Sequence, residues 1–165
     1  MLSNVDKELL PLLESFNGMQ MHINEANVAK YRTRLNQAPS VDEIPNIEVF
    51  AQTFSQAQNY VKVKIYRPKN GSTLKPALLW MHGGGYILGS IDNDPIAAEI
   101  AQAMDIMVIS VDYSLAPEKP FPAAHNDCYL ALQGLIEEAE SLGINTHKIA
   151  IGGDSAGAGL AACLI

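Results

Sequence analysis

A serine framed by glycines, Gly153-Asp154-Ser155-Ala156-Gly157, follows an apolar run and precedes an alanine-rich stretch. In the pattern Gly-x-Ser-x-Gly the serine sits on a tight strand-to-helix turn, and the flanking glycines leave room where a Cβ would keep strand and helix apart. The hydroxyl is forced outward, above the carboxyl edge of the sheet, where ligands bind in open α/β folds. A serine so placed can attack an acyl carbon, and the tetrahedral intermediate then needs N–H donors for its oxyanion. The residue after the serine supplies one. A second stretch, His82-Gly83-Gly84-Gly85-Tyr86, follows the apolar run ALLWM and offers others, because glycines let main-chain amides approach a carbonyl that side chains would shield.

Such groups need a scaffold, and the chain alternates strand and helix patterns. Residues 5–16 and 24–37 carry apolar positions at three-to-four spacing, including Val5, Leu9, Leu12, Leu13 and Phe16, and predict two helices. Residues 47–54 and 60–68 alternate apolar and polar, which predicts an edge hairpin turning through Ser55–Asn59; a further turn spans 68–76. Residues 77–83, 105–113 and 148–154 are continuous apolar runs, as expected of parallel strands buried on both faces. Helical patterns lie between them at 94–104 and 122–141. The sum is an α/β fold with a mostly parallel sheet and an antiparallel N-terminal hairpin. The expected division is 1–45 as cap-like helices and 46–165 as the catalytic unit.

Composition excludes several classes. The chain has 165 residues, of which 48% are hydrophobic and 18% charged, ordinary globular values with room for one core. Eleven basic against eighteen acidic residues give a net charge of −7, which opposes a phosphate-binding surface, so no nucleic-acid partner is expected. The start MLSNVDKELLPLLESF lacks a cationic, then apolar, then small-residue leader, and no membrane-spanning run follows; a cytoplasmic location is expected. Cys128 and Cys163 stand in apolar helical settings without metal-ligand neighbours, so no metal and no cofactor are expected.

The stretches HGGGY, DYSLAPEKPFPAA and GDSAG, in that order, resemble the hormone-sensitive-lipase-like esterases of the α/β-hydrolase fold, from about Pro76 onward. The resemblance implies a serine carboxylesterase acting on small or medium acyl esters through an acyl-enzyme. It implies Ser155 as nucleophile and the amides of Gly83, Gly84 and Ala156 as the oxyanion hole. His82 and Gly85 would support the loop, Asp154 would support the turn as a helix-start cap, and Tyr86, with Ile87 and Leu88, would line the substrate pocket. Leu115–Glu118 would be a structural turn with Glu118 as a hydrogen-bond partner. Ser114 departs from the family, which often has arginine after the Asp-Tyr pair.

That family orders its triad Ser, then Asp or Glu, then His, and only AGAGLAACLI follows Ser155. The chain is therefore expected to be an N-terminal portion only, lacking the triad acid and histidine. Its sheet would be truncated after the nucleophile strand, and the helix from Ala156 would keep an uncovered apolar face. Among the histidines present, His22, His125 and His147 read as loop or surface residues; His147 is expected in the loop entering the serine's strand, and His82 is nearest the site. Asp112, Asp127 and Glu99 read as turn or surface carboxylates. Two other readings stay open. One is a non-catalytic ligand-binding receptor on the same fold, its serine and glycine loop holding a carboxylate. The other is a nucleotide-binding module, since Gly157-Ala158-Gly159-Leu160-Ala161-Ala162 fits G-x-G-x-x-A, although here the first glycine falls after the turn. Acyl specificity and oligomeric state are not readable.

Overall fold

The structure, a computed structural model, describes residues 5–15, 22–35, 44–70 and 74–165. Two helices come first, α1 (Leu10–Ser15) and α2 (Val28–Leu35). The far ends of both expected helices, Phe16, Asn36 and Gln37, and residues 71–73 of the expected turn lie outside the described residues. Then follow β1 (Ile47–Gln56), β2 (Asn59–Pro68), β3 (Lys75–Met81), α3 (Pro95–Met104), β4 (Met107–Val111), α4 (Ala123–Glu137), α5 (Ala139–Leu142), β5 (Ile144–Gly153) and α6 (Ala156–Ala162).

The sheet order is β1-β2-β4-β3-β5. β1 and β2 form the expected hairpin, with Gln56 opposite Asn59, and Ala57 takes the positive φ its turn requires. β2 also pairs antiparallel with β4, while β3 pairs parallel with β4 and β5, so the sheet is mixed. Side chains of β3 alternate between two apolar layers. Leu79 and Met81 join Ile109, Phe54, Cys128, Leu135 and Leu160, whereas Trp80 joins Val108, Tyr66, Ala97 and Ala101 of the α3 side. A strand buried on both faces has no position to spare for polarity, which is why β3 and β4 read as unbroken apolar runs. On the α3 side the buried Asp94 caps that helix at Ala97 N (3.3 Å). It also accepts from Trp80 Nε1 (2.8 Å) and Ser110 Oγ (3.2 Å), so its carboxylate is paired with donors throughout.

Two expectations are corrected. The expected truncation after the nucleophile strand is overturned in that the fold does not end with β5: past Gly153 it continues through a turn into α6, although β5 is the last strand of the described sheet. Ala156, Gly157, Leu160 and Ala161 of that helix are buried, and Leu160 and Ala161 belong to the main core. Small residues at 156, 157 and 161 let α6 settle close onto the sheet, so the face expected to be bare is covered. The strand before it is also longer than expected. β5 begins at Ile144, so His147 lies within the strand and not in a loop before it. Asn145, Thr146, His147 and Lys148 are tolerated because β5 is an edge of the described sheet and this part of it is solvated.

Candidate active site

Ser155 stands at the junction of β5 and α6 with φ 50° and ψ −112°. A non-glycine residue in such a region costs about 1–3 kcal/mol and persists only where its surroundings over-determine it. Here they do. Asp154 N donates to Met81 O (3.1 Å) and Gly157 N to Asp154 O (2.8 Å), tying the turn to the end of β3 and to its own helix. A Cβ on Gly153 would lie 2.4 Å from Gly157 C and O, and one on Gly157 would lie 2.0 Å from Met81 O. Both glycines are thus demanded by the close approach of strand and helix. Ser155 is exposed, and its side chain makes no capping bond. The Asp154 side chain likewise does not cap α6; its Oδ2 would lie 2.7 Å from a Cβ on Gly83. That contact brings the two glycine motifs together. The second glycine of the nucleotide-like pattern has a packing explanation too, since a Cβ on Gly159 would meet Tyr86 Oη at 2.6 Å.

The glycine loop leaves β3 at Met81. His82 is buried, and its Nδ1 lies 2.8 Å from Gly83 O. A carbonyl oxygen only accepts, so the network assigns the proton to Nδ1. Tyr113 donates its hydroxyl to His82 O at 2.6 Å, and the two rings stack with centroids 4.4 Å apart. Burial holds the Tyr113 phenol far above its ordinary pKa, so this hydroxyl stays a donor. The loop next reverses at Gly84, φ 128°, where Leu88 N (2.9 Å) and Ile87 N (3.2 Å) both donate to Gly84 O. Gly85 and Tyr86 follow, both in the left-handed region. Tyr86 O then accepts from Ala116 N at 2.9 Å, joining the loop to the Leu115–Glu118 turn.

Between these segments lies a cavity of about 440 Å³, lined by Gly85, Tyr86, Ile87, Ala116, Phe121 and His125 among others. Tyr86 is one of its walls. A larger and more polar cleft of about 520 Å³, bounded by Gln56, Tyr60 and Tyr129, does not include the glycine loop, and Ser155 is among the walls of neither cavity. Glu118 is hydrogen-bonded to Arg32, whose guanidinium holds the carboxyl below the usual range. Ser114, the departure from the family pattern, donates its N–H to Asp127 Oδ2 at 2.8 Å. Asp127 therefore pins a loop, while Asp112 and Glu99 are exposed.

Sequence reading missed two residues here, Tyr113 and Arg32. The first lies two residues past β4 and its OH partner is distant in sequence; the second lies in a helix with no motif of its own. Of the remaining histidines, His125 packs edge-on to Phe121 (5.1 Å) in α4, while His22 and His147 are exposed. No histidine or carboxylate is hydrogen-bonded to the Ser155 side chain among the described residues. Among those residues there is also no cluster of metal-ligating side chains and no helix long and apolar enough to cross a membrane.

A family model described as alpha/beta hydrolase fold matches residues 78–165. Carboxylesterase NlhH of Mycobacterium tuberculosis is 33% identical over 98% of this chain and 51% of its own length. Ethyl acetate hydrolase of Pseudomonas putida is 36% identical over 88% of this chain and 48% of its own. The crystal structure of esterase LipW from Mycobacterium marinum superposes with a TM-score of 0.83 at 32% identity, covering 93% of this chain and 51% of that one. The chain spans about half the length of the curated relatives it matches.

Proposed function

Since the chain belongs to the alpha/beta-hydrolase fold family, we propose that it builds the nucleophile and oxyanion hole of a serine carboxylesterase acting on small to medium acyl esters. Ser155 attacks the ester carbonyl. The oxyanion is received by the amides of Ala156, Gly83 and Gly84, each of which typically contributes about 2.7–4 kcal/mol to the transition state in such sites. Alcohol leaves, and water releases the acid from the acyl-enzyme. The single observation that carries this reading is the Ser155 turn: an exposed serine held at positive φ, its neighbour Asp154 packed against Gly83. Strain of this kind, held by close packing around an exposed polar residue, is what sites of chemistry store.

Attack requires an acceptor for the serine proton; no described histidine or carboxylate is hydrogen-bonded to Ser155, so with p-nitrophenyl esters, whose leaving phenolate needs no proton, solvent water takes it. His82 does not fit that role, because its Nδ1 is spent on Gly83 O and its ring is buried against Tyr113. It serves instead to brace the glycine loop, with Gly85 keeping the loop open and Tyr86 walling the acyl pocket. The helices before residue 46 act as part of a cap over this pocket. Small-molecule esters of the ethyl acetate kind fit the cavity of about 440 Å³.

The test is release of p-nitrophenolate from a series of p-nitrophenyl esters by the chain and by Ser155→Ala. Turnover is expected to disappear in the variant while its urea-unfolding midpoint stays in place, because the change removes one oxygen at an exposed turn. Equal turnover by both proteins overturns the nucleophile assignment. Saturable carboxylate binding without turnover by either would make the same fold a receptor.

A further inference from the structure

Two loops frame the candidate site, and a residue more than fifty positions upstream of both holds them together. Arg32 of α2 donates from Nε to Ile87 O (2.8 Å), from Nη2 to Ala116 O (2.7 Å) and from Nη1 to Glu118 Oε1 (2.8 Å). Two of the three acceptors are main-chain carbonyls, one from the glycine loop and one from the turn after β4. Ile87 and Ala116 both line the cavity of about 440 Å³, and the Ala116 N to Tyr86 O bond closes the same seam beside them. The Arg32 side chain is 20% exposed, so these bonds are partly shielded from water. A guanidinium presents its donors in a rigid plane and can fix two carbonyls at a set separation; an ammonium cannot.

The rest of α2 contributes little to that grip. Among its described side chains, Val28 is buried, whereas Ala29, Lys30, Thr33 and Arg34 are exposed. Arg32 is also absent from both apolar clusters that support the sheet. Its loss would therefore release the loops while leaving the core as it is.

We propose that Arg32 is a positioning residue that sets substrate specificity: by clamping the glycine loop to the Leu115–Glu118 turn it fixes the width of the cavity that receives the acyl chain. This rests on the esterase reading for the word acyl, and on the structure alone for the clamp. Arg32 touches no reacting atom and acts through Ile87 and Ala116. Glu118 steers the fork from its exposed side.

The experiment compares the full chain with Arg32→Gln, Arg32→Lys and Glu118→Gln. Hydrogen exchange is followed at the amides of Ile87, Leu88 and Ala116, with Val108–Ser110 of β4 as the internal reference. Both Arg32 variants are expected to speed exchange at the three loop amides by about tenfold or more, as for loss of a charge-assisted bond. The β4 amides should not change, and Glu118→Gln should lie between. In turnover, KM for p-nitrophenyl octanoate should rise by about tenfold in Arg32→Lys, while KM for the acetate and kcat for both stay within about twofold. The same split is expected in the Kd of octanoate against acetate by NMR titration, which needs no turnover. Unchanged loop exchange overturns the clamp, and uniform acceleration including β4 reduces Arg32 to general stability. Parallel changes for octanoate and acetate, in KM or Kd, overturn the specificity role. If the unsubstituted chain hydrolyses neither ester, the esterase reading falls, and the exchange and Kd measurements still decide the clamp.

Discussion

Replacing Gly84 and Gly85 in turn by alanine separates two demands that adjacent glycines place on one loop. At Gly84 an added Cβ would sit 2.1 Å from Leu88 O and 2.5 Å from Leu88 C, both main-chain atoms of the turn that Gly84 O itself closes. To reach 3.0 Å the loop must give by about 0.9 Å, which breaks or stretches the bonds from Leu88 N and Ile87 N. Losing two such bonds costs about 1 kcal/mol each, and an L residue at φ 128° adds about 1–2 kcal/mol, so Gly84→Ala should destabilise the loop by about 3–4 kcal/mol. Gly85 has φ 63° with nothing within 4 Å of its virtual Cβ. Only the left-handed strain of about 1–2 kcal/mol applies there, offset by about 0.4–1 kcal/mol from a stiffer unfolded chain, for a net cost near 1 kcal/mol. In ester turnover Gly84→Ala should lose about 10²–10³ in kcat as its amide swings off the oxyanion. Gly85→Ala should lose less than about tenfold, the kinetic equivalent of that smaller strain. Urea unfolding read by loop hydrogen exchange, together with kcat on p-nitrophenyl butyrate, measures both. Indistinguishable effects of the two substitutions would refute the reasoning, because the Leu88 contact, the φ angle and the proposed oxyanion role of the Gly84 amide all set them apart.

Tyr113→Phe should cost about 1–3 kcal/mol in urea unfolding, since it strips the donor from a buried carbonyl, His82 O. The native phenol binds its proton more tightly than the unfolded one, so Tyr113 contributes stability that is intact below about pH 10 and declines as pH rises above it. A pH series should therefore show a shallower alkaline decline in Tyr113→Phe, and parallel declines would remove this residue as the cause. Thiol titration offers a check on the core: the Cys128 thiol is buried and pushed up to about 12, whereas Cys163 is exposed, so Ellman's reagent should label one thiol in the native protein and two in denaturant. Two fast native thiols would mean that α4 is not seated on the sheet as described.

How much of this was legible beforehand depended on whether the signal was local. The runs of β3 and β4 declared themselves because both faces of those strands are buried. The glycines at 153 and 157 did so because only a missing Cβ permits the contact each makes. The start of β5 was hidden, because an edge strand can carry Asn145, Thr146, His147 and Lys148 on solvated backbone and so reads as a loop. The second antiparallel pairing, β2 with β4, depends on which strand the hairpin docks against, and no periodicity encodes that. Arg32 was out of reach for the same reason: its partners lie 55, 84 and 86 positions away, and an arginine on a helix looks like solvent-facing charge until the loops are in place. An uncovered face on α6 was expected from the absence of further strands, but its small residues let the helix press onto Met81 and bury Gly157, Leu160 and Ala161.

Met81 O is a shared reference mark for parts that must be aligned. It accepts from Asp154 N, it is the atom against which Gly157 closes, and the glycine loop begins at the very next residue. The serine turn and the glycine loop are therefore gauged from one point at the tip of one strand, not from opposite ends of the molecule. Thermal sway or a core substitution that raises or tilts β3 carries both along in common, and what survives as misalignment is only the short remainder of each path beyond Met81. Such a layout makes the registration between the proposed attacking oxygen and its proposed oxyanion donors insensitive to sloppiness elsewhere in the sheet, and it concentrates vulnerability in the few bonds measured from that carbonyl.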